Sequence, residues 1–115
     1  MPITRRQFEL GIDTDLEGWM RDIYVRLDAA KDQAFSRQEL VNLFGLSEEP
    51  KTRPSIEHEE WYKNKTRFSL ALEKLVQLNA VSEREVAGVA YYATGRYALD
   101  DVLDGKVDPY KPSRF

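Results

Sequence analysis

At 115 residues, 42% of them hydrophobic and 11% aromatic, the chain has the side chains for one packed core and is too short for two. It contains no cysteine, which excludes disulfide staples, thiolate metal sites and cysteine nucleophiles and fits a reducing cytoplasm. The formal net charge of −3 is not the strongly basic balance of many nucleic-acid-binding domains, so a nucleic-acid contact would have to come from a local patch.

In chain order, residues 1–13 hold Thr4 as a helix cap and Phe8, Leu10 and Ile12 as apolar points, which reads as an amino-terminal arm or a short helix. The start has no apolar run of signal-peptide length, and nothing downstream approaches the ~18 apolar residues of a membrane span. A soluble cytoplasmic chain is the expectation. Thr14-Asp15-Leu16-Glu17 forms a capping box, in which a hydroxyl and a carboxylate each satisfy an orphan backbone N–H. The helix it opens should bury Leu16, Trp19, Met20, Ile23, Tyr24 and Leu27, the i, i+3, i+4 series of one stripe, and its link runs to residue 34.

Ser36 and Glu39 make a second capping box, and the preceding Phe35 can staple onto Leu40. The short helix that follows should bury Leu40, Val41, Leu43 and Phe44 and close on Gly45 in a left-handed conformation. Residues 46–54 carry Pro50, Pro54 and four charged side chains and read as a loop, after which Ser55 restarts the chain. From 56 to 79 there is no Gly or Pro, and Trp61, Phe68, Leu72, Leu75 and Leu78 recur at helical spacing, which predicts the longest helix. The period then moves toward two over 80–86, Ala87-Gly88 supplies a turn, and Val89-Ala90-Tyr91-Tyr92-Ala93 is rich in strand formers, so 81–93 reads as a hairpin. Thr94 is positioned to cap a last helix over 95–103, ahead of a tail from 105 to 115. The chain is therefore expected to be mainly α with a small β-hairpin, and its order of helix, helix, loop, long helix and hairpin resembles that of the winged-helix superfamily, which implies a single winged-helix domain with its core at 35–104 and an extra amino-terminal helix.

The residues narrow this comparison. Leu46-Ser47-Glu48-Glu49, Trp61, Asn64-Lys65-Thr66-Arg67-Phe68-Ser69-Leu70-Ala71-Leu72, Leu75, Ala80-Val81 and Gly88-Val89-Ala90-Tyr91-Tyr92-Ala93-Thr94-Gly95 resemble the amino-terminal winged-helix domain of Mrr-type restriction enzymes. The resemblance spans 35–99. That family has an Arg followed by an aromatic residue on its long helix, and a Gly, a tyrosine, then Thr and Gly at its hairpin. This chain departs from it at Asn79-Ala80, where the family has a Gly, and carries no counterpart of the family's nuclease domain, so nuclease activity is not carried over. What the resemblance implies is DNA recognition, with the long helix approaching the major groove and the hairpin approaching the backbone.

The residues themselves offer partial support. At about 100° per residue, Lys63, Arg67 and Lys74 fall within about 40° of one another, away from the Trp61, Phe68, Leu72 and Leu75 stripe. Residues 51–75 carry six Lys or Arg against four Glu, whereas 13–50 carry four positive against nine negative residues, so the positive charge is concentrated on the long helix. There Lys63, Arg67 and Lys74 could neutralise phosphates while Asn64, Thr66 and Arg67 read base edges. Arg84 and Arg96 near the wing, and Arg5 and Arg6 in the arm, would add backbone contacts. Against this, the helix opens on Glu57-His58-Glu59-Glu60, which suits the helix dipole but repels phosphate, and the wing tip has no cation. The bland alternative for the same cations is a solvated face with i, i+4 pairs such as Glu59 with Lys63.

Other chemistry is excluded more firmly. His58 is the only histidine and lacks the second one a zinc helix needs. Asp100, Asp104 and Gly105 fail as a calcium loop because Val102 and Lys111 occupy ligand positions. No phosphate cradle and no Ser with base and orienter stand at recognisable spacing. The expectation is a non-enzymatic protein without cofactor or metal that binds double-stranded DNA, as a transcriptional regulator or an accessory of a restriction or phage system. The alternative is a protein-interaction or dimerisation module, a homodimer among its forms, with Tyr91 or Tyr92 as the partner contact, since strand alternation buries one and exposes the other. A continuous basic patch beside the wing would favour DNA.

Overall fold

The computed structural model describes residues 2–51 and 56–107; the end of the 46–54 loop, the restart at Ser55 and the tail beyond 107 lie outside the described residues. The elements are α1 (Arg5–Leu10), α2 (Thr14–Asp28), β1 (Phe35–Ser36), α3 (Arg37–Leu43), α4 (Ile56–Gln77), β2 (Val81–Val86), β3 (Val89–Thr94) and α5 (Leu99–Leu103). They form a mixed α and β fold with one small antiparallel sheet.

The amino-terminal segment is a helix because Thr4 and Gln7 form a complete capping box, and Gly11, at φ 75°, closes it in the left-handed region. Gln7 is the buried polar side chain of the core (7% exposed), and every arm of its amide is used. Its Oε1 accepts from Thr4 N at 2.9 Å, and its Nε2 donates to Thr14 Oγ1 at 3.3 Å and to Glu17 Oε1 at 3.2 Å. This arrangement corrects the capping box expected at Thr14 and Glu17. Both of those oxygens turn back to Gln7, and Asp13 caps α2 instead, its Oδ1 accepting from Leu16 N at 2.7 Å.

Met20, Ile23 and Leu27 of α2 are fully buried, with Leu16, Trp19 and Tyr24 packed partly buried around them, as the stripe predicts. Ser36 and Glu39 form the expected capping box at α3, and Gly45 sits at φ 68°. Leu43 does not belong to the buried side: it is 44% exposed, and the buried residues of α3 are Leu40 and Val41. Phe44, half-buried, joins Trp19 to Phe68 through tilted ring contacts at 6.3 and 5.6 Å.

The β structure is larger than a hairpin. Phe35 and Ser36 pair antiparallel with Tyr92 and Tyr91, which makes a three-stranded sheet of order β1-β3-β2. In the hairpin, Ala87 (φ 53°) and Gly88 (φ 82°) both lie in the left-handed region, the two-residue type I′ turn whose twist matches its strands. Thr94 pairs with Val81 as the last residue of β3 and caps no helix. The chain cannot turn helical at Gly95 because Gly95 N donates to Ala80 O at 2.9 Å and Tyr97 N to Asn79 O at 3.0 Å, so α5 waits until Leu99. The core lies between α2 and α4, where Phe68, Ala71, Leu72 and Leu75 meet the α2 stripe, and α5 closes one end with Leu99 and Val102.

Candidate interaction surface

The cations proposed for DNA contact are distributed over several surfaces. On α4, Lys63 is exposed and makes no ion pair with the described residues. Arg67 turns toward the start of α2, where its guanidinium meets Asp15 at 3.3 Å and Asp13 at 3.7 Å. Lys74 lies against the end of α1: a Cβ placed on Gly11 would stand 3.2 Å from its Nζ. That position sets an ammonium beside the carbonyl end of a helix, where a cation is favoured. Two of the three members of the basic face therefore fill the seam between α4 and the α1–α2 corner.

Asn64 and Thr66 are exposed, but Asn64 falls on the side of the helix that carries Trp61 and Phe68, while Thr66 points outward. Thr66 Oγ1 is also bonded to the carbonyl of Tyr62 at 2.9 Å. Arg84 stands on β2, and Arg96 follows β3 with its guanidinium 5.6 Å from the Tyr97 ring centroid. Arg6 is a structural residue, donating to the carbonyls of Val102 and Val107. Arg5 pairs with Glu9 at 3.5 Å.

The outward face of α4 has a different character from the one its wheel suggested. Tyr62, Lys63, Thr66, Leu70, Glu73 and Gln77, with Glu59 at the amino-terminal end, occupy an arc of about 100° and are all exposed. Tyr62 is 64% and Leu70 47% exposed. Glu59 and Glu73 outnumber Lys63, so the face is weakly acidic, with Leu70 near its midpoint along the helix and Tyr62 at one margin.

On the α3 side of α4, a group the sequence reading did not single out comes together. Arg37, in the first turn of α3, donates to Ser69 Oγ and shares a cleft with Gln38, Val41, Ser47 and Lys65. Lys65 Nζ lies 5.0 Å from the Trp61 ring centroid, Trp61 Nε1 donates to Leu46 O at 3.0 Å, and His58 Nε2 is 2.9 Å from Glu49 Oε2. Arg37 and Lys65 are 28 positions apart in the chain. Only the packing of α3 on α4 could have joined them; the local signal was no more than the capping box that places Arg37 in the first turn.

The two hairpin tyrosines separate as alternation requires. Tyr92 is 5% exposed, and its hydroxyl donates to Glu83 Oε2 at 2.6 Å; burial first, and that bond second, push its pKa up. This removes Tyr92 from the partner-contact candidates. Tyr91 is half-buried on the other face of the sheet, in a shallow apolar groove with Ala34, Val86 and Ala93, beside an Arg84 that has no partner among the described residues. Val86 and Val89 at the wing tip are about half exposed, at 53% and 44%.

Among the described residues no group of His, Asp or Glu is placed to hold a metal, and no helix is long and apolar enough to cross a membrane. Comparison with protein-family models, curated proteins and solved structures finds no match to this chain.

Proposed function

We propose that the chain is a protein-interaction module built on a winged-helix topology, with the outward face of α4 as its contact surface. The topology is supported by the order α2, β1, α3, α4, β2, β3 and by a sheet in which β3 lies between β1 and β2. Fold alone does not decide what such a domain contacts.

The observation that carries the reading is the charge of α4 after its neighbours are counted. Arg67 is compensated by Asp13 and Asp15, Lys74 lies beside Gly11 at the end of α1, and the face left to solvent has two carboxylates, one ammonium and the exposed side chains Tyr62 and Leu70. A duplex would meet carboxylates there, whereas a protein surface would meet Tyr62 and Leu70 beside both signs of charge, the composition of an interface patch. The wing tip is likewise apolar, Val86-Ala87-Gly88-Val89, and offers no cation to a phosphate.

A DNA-binding reading rests on a different observation, the cleft that Arg37 and Lys65 line together with Gln38 and Ser47. Fluorescence anisotropy with a labelled mixed-sequence duplex separates the two. The interaction reading expects no binding at low salt and tens of micromolar protein. Binding that weakens steeply with salt, as counterion release requires, would overturn it in favour of DNA. Loss of that binding in Arg37→Ala and Lys65→Ala would then place the contact at the cleft.

A further inference from the structure

We propose that the partner of this face is a second copy of the chain, paired with the first through α4 about a two-fold axis that passes between Thr66 and Leu70. The inference rests on the interaction reading above and names its partner.

Glu59, Lys63, Thr66, Leu70, Glu73 and Gln77 follow one another at spacings of four, three, four, three and four, a line of exposed side chains that a second helix could run along, with Leu70 its apolar member and charges on either side. In an antiparallel pair each residue meets the one equally far on the other side of the axis. The axis between Thr66 and Leu70 sets Thr66 of one copy against Leu70 of the other. It then sets Lys63 against Glu73, twice, and Glu59 against Gln77 at the two ends. The contacts place Leu70 of each copy against Thr66 of the other at the centre, a complementary ion pair on each side of it, and a carboxylate facing an amide beyond.

Within one copy Lys63 and Glu73 are too far apart to meet, about 15 Å along the helix axis. Neither makes an ion pair with the described residues. Among the described residues these two opposite charges are left without each other or another ionic partner, at the spacing that a two-fold satisfies. Tyr62, 64% exposed, flanks that line and would be covered with it.

The other route to self-pairing, addition of β2 to its own copy, meets the opposite electrostatics. β2 is an edge strand of the sheet. An antiparallel two-fold normal to the sheet must be centred on a residue, so that opposed side chains share a face. The centres that pair most of this six-residue strand are Glu83 and Arg84: centred on Arg84 the two-fold opposes Arg84 to Arg84 and Glu83 to Glu85, and centred on Glu83 it opposes that carboxylate to itself. Like charges directly opposite destabilise a strand pair and protect the edge.

The test is sedimentation equilibrium of the full chain and of Lys63→Glu, Glu73→Lys and the Lys63→Glu/Glu73→Lys double variant. One helix paired with its copy is a small interface, so a dimer with Kd of roughly 10–100 μM is expected. Each single reversal places like charges together at two points and should raise Kd by about tenfold or more, and the double variant should return it to within about threefold of the original. Lys63, Leu70 and Glu73 are all on the surface, and circular dichroism confirms that each variant remains folded. Leu70→Glu, at the centre, should abolish the dimer. A chain that stays monomeric at several hundred micromolar overturns the second copy while leaving the interaction reading to the duplex titration. A dimer indifferent to these substitutions, or one that the double variant fails to restore, overturns the α4 pairing.

Discussion

Gly95 is the point where β3 passes closest to the junction of α4 and β2, and replacing it with alanine tests the fold most directly. A Cβ at this position would stand 2.5 Å from Asn79 O and 2.8 Å from both Ala80 C and Val81 N. Ordinary contact between such atoms needs about 3.5 Å, so the overlap is roughly 0.7 Å or more with each. All three atoms are backbone, and they belong to the segment whose carbonyls accept from Gly95 N and Tyr97 N, so no side chain can rotate away. Relief requires the hairpin to lift from the end of α4, which would loosen Ala80, Val81 and Tyr92 in the core. Overpacking of this kind costs about 3 kcal/mol, the upper part of its usual range, because the obstruction is backbone. At about 4 °C per kcal/mol for a chain of this size, Tm should fall by roughly 10 °C. Gly18→Ala is the control: nothing lies within 4 Å of a Cβ there, and the residue is inside α2, so the same chemical change should stabilise by about 0.5–1 kcal/mol. Urea and thermal melts followed by circular dichroism measure both. If Gly95→Ala melts with or above the original protein, the close crossing at the base of the hairpin is refuted.

Ala87 has a φ of 53°, a conformation glycine adopts freely and alanine at a cost of about 1 kcal/mol, so Ala87→Gly should raise Tm by a few degrees after its unfolded-state entropy is offset, whereas Ala87→Val should lower it. Tyr92 has a raised pKa because the folded state disfavours its phenolate, first by burial and then through the bond to Glu83. Its contribution to stability is therefore complete below the ordinary tyrosine value of 10.0 and is lost as pH rises through the raised folded value. Urea melts from about pH 8 to 11 should show that loss, and Tyr92→Phe should remove part of it and leave the share of Tyr24, raised chiefly by burial. An alkaline profile unchanged in Tyr92→Phe would refute the assignment.

The parts of this fold that were legible in the sequence are those decided within one or two turns of chain. The Ser36–Glu39 box, the left-handed Gly45, the α2 stripe and the Ala87-Gly88 turn each depend on neighbours within four positions, and each is present. Errors arose where two local solutions compete or where a distant segment intervenes. Asp13 and Thr14 are both good caps, and the choice between them was made by Gln7, which holds the Thr14 and Glu17 oxygens from another helix. Thr94 reads as a cap until Gly95 is seen bonded to Ala80, which keeps the chain extended beyond it. A two-residue strand such as β1 has no periodicity to detect, and only its pairing with Tyr91 and Tyr92 defines it.

The dispersal of the cations proposed for the site has a related cause. A helical wheel separates residues that leave the core from those that enter it, but an α helix packed on two sides has margins as well as an outward face. Lys63, Arg67 and Lys74 share one side of the wheel, and α2 and α1 lie along the edge of that side. The edge residues therefore meet Asp13, Asp15 and the α1 carbonyl terminus, groups drawn from a segment more than fifty positions away. The acidic excess of residues 13–50 and the basic excess of 51–75, which looked like a charge separation suited to a polyanion, is in part the complementarity that docks α4 onto α2. Once that complementarity is satisfied internally, little positive charge is left facing out from α4. What remains exposed there is Tyr62, Thr66 and Leu70 beside one ammonium and two carboxylates, and it is on this residue set that the proposed interaction rests.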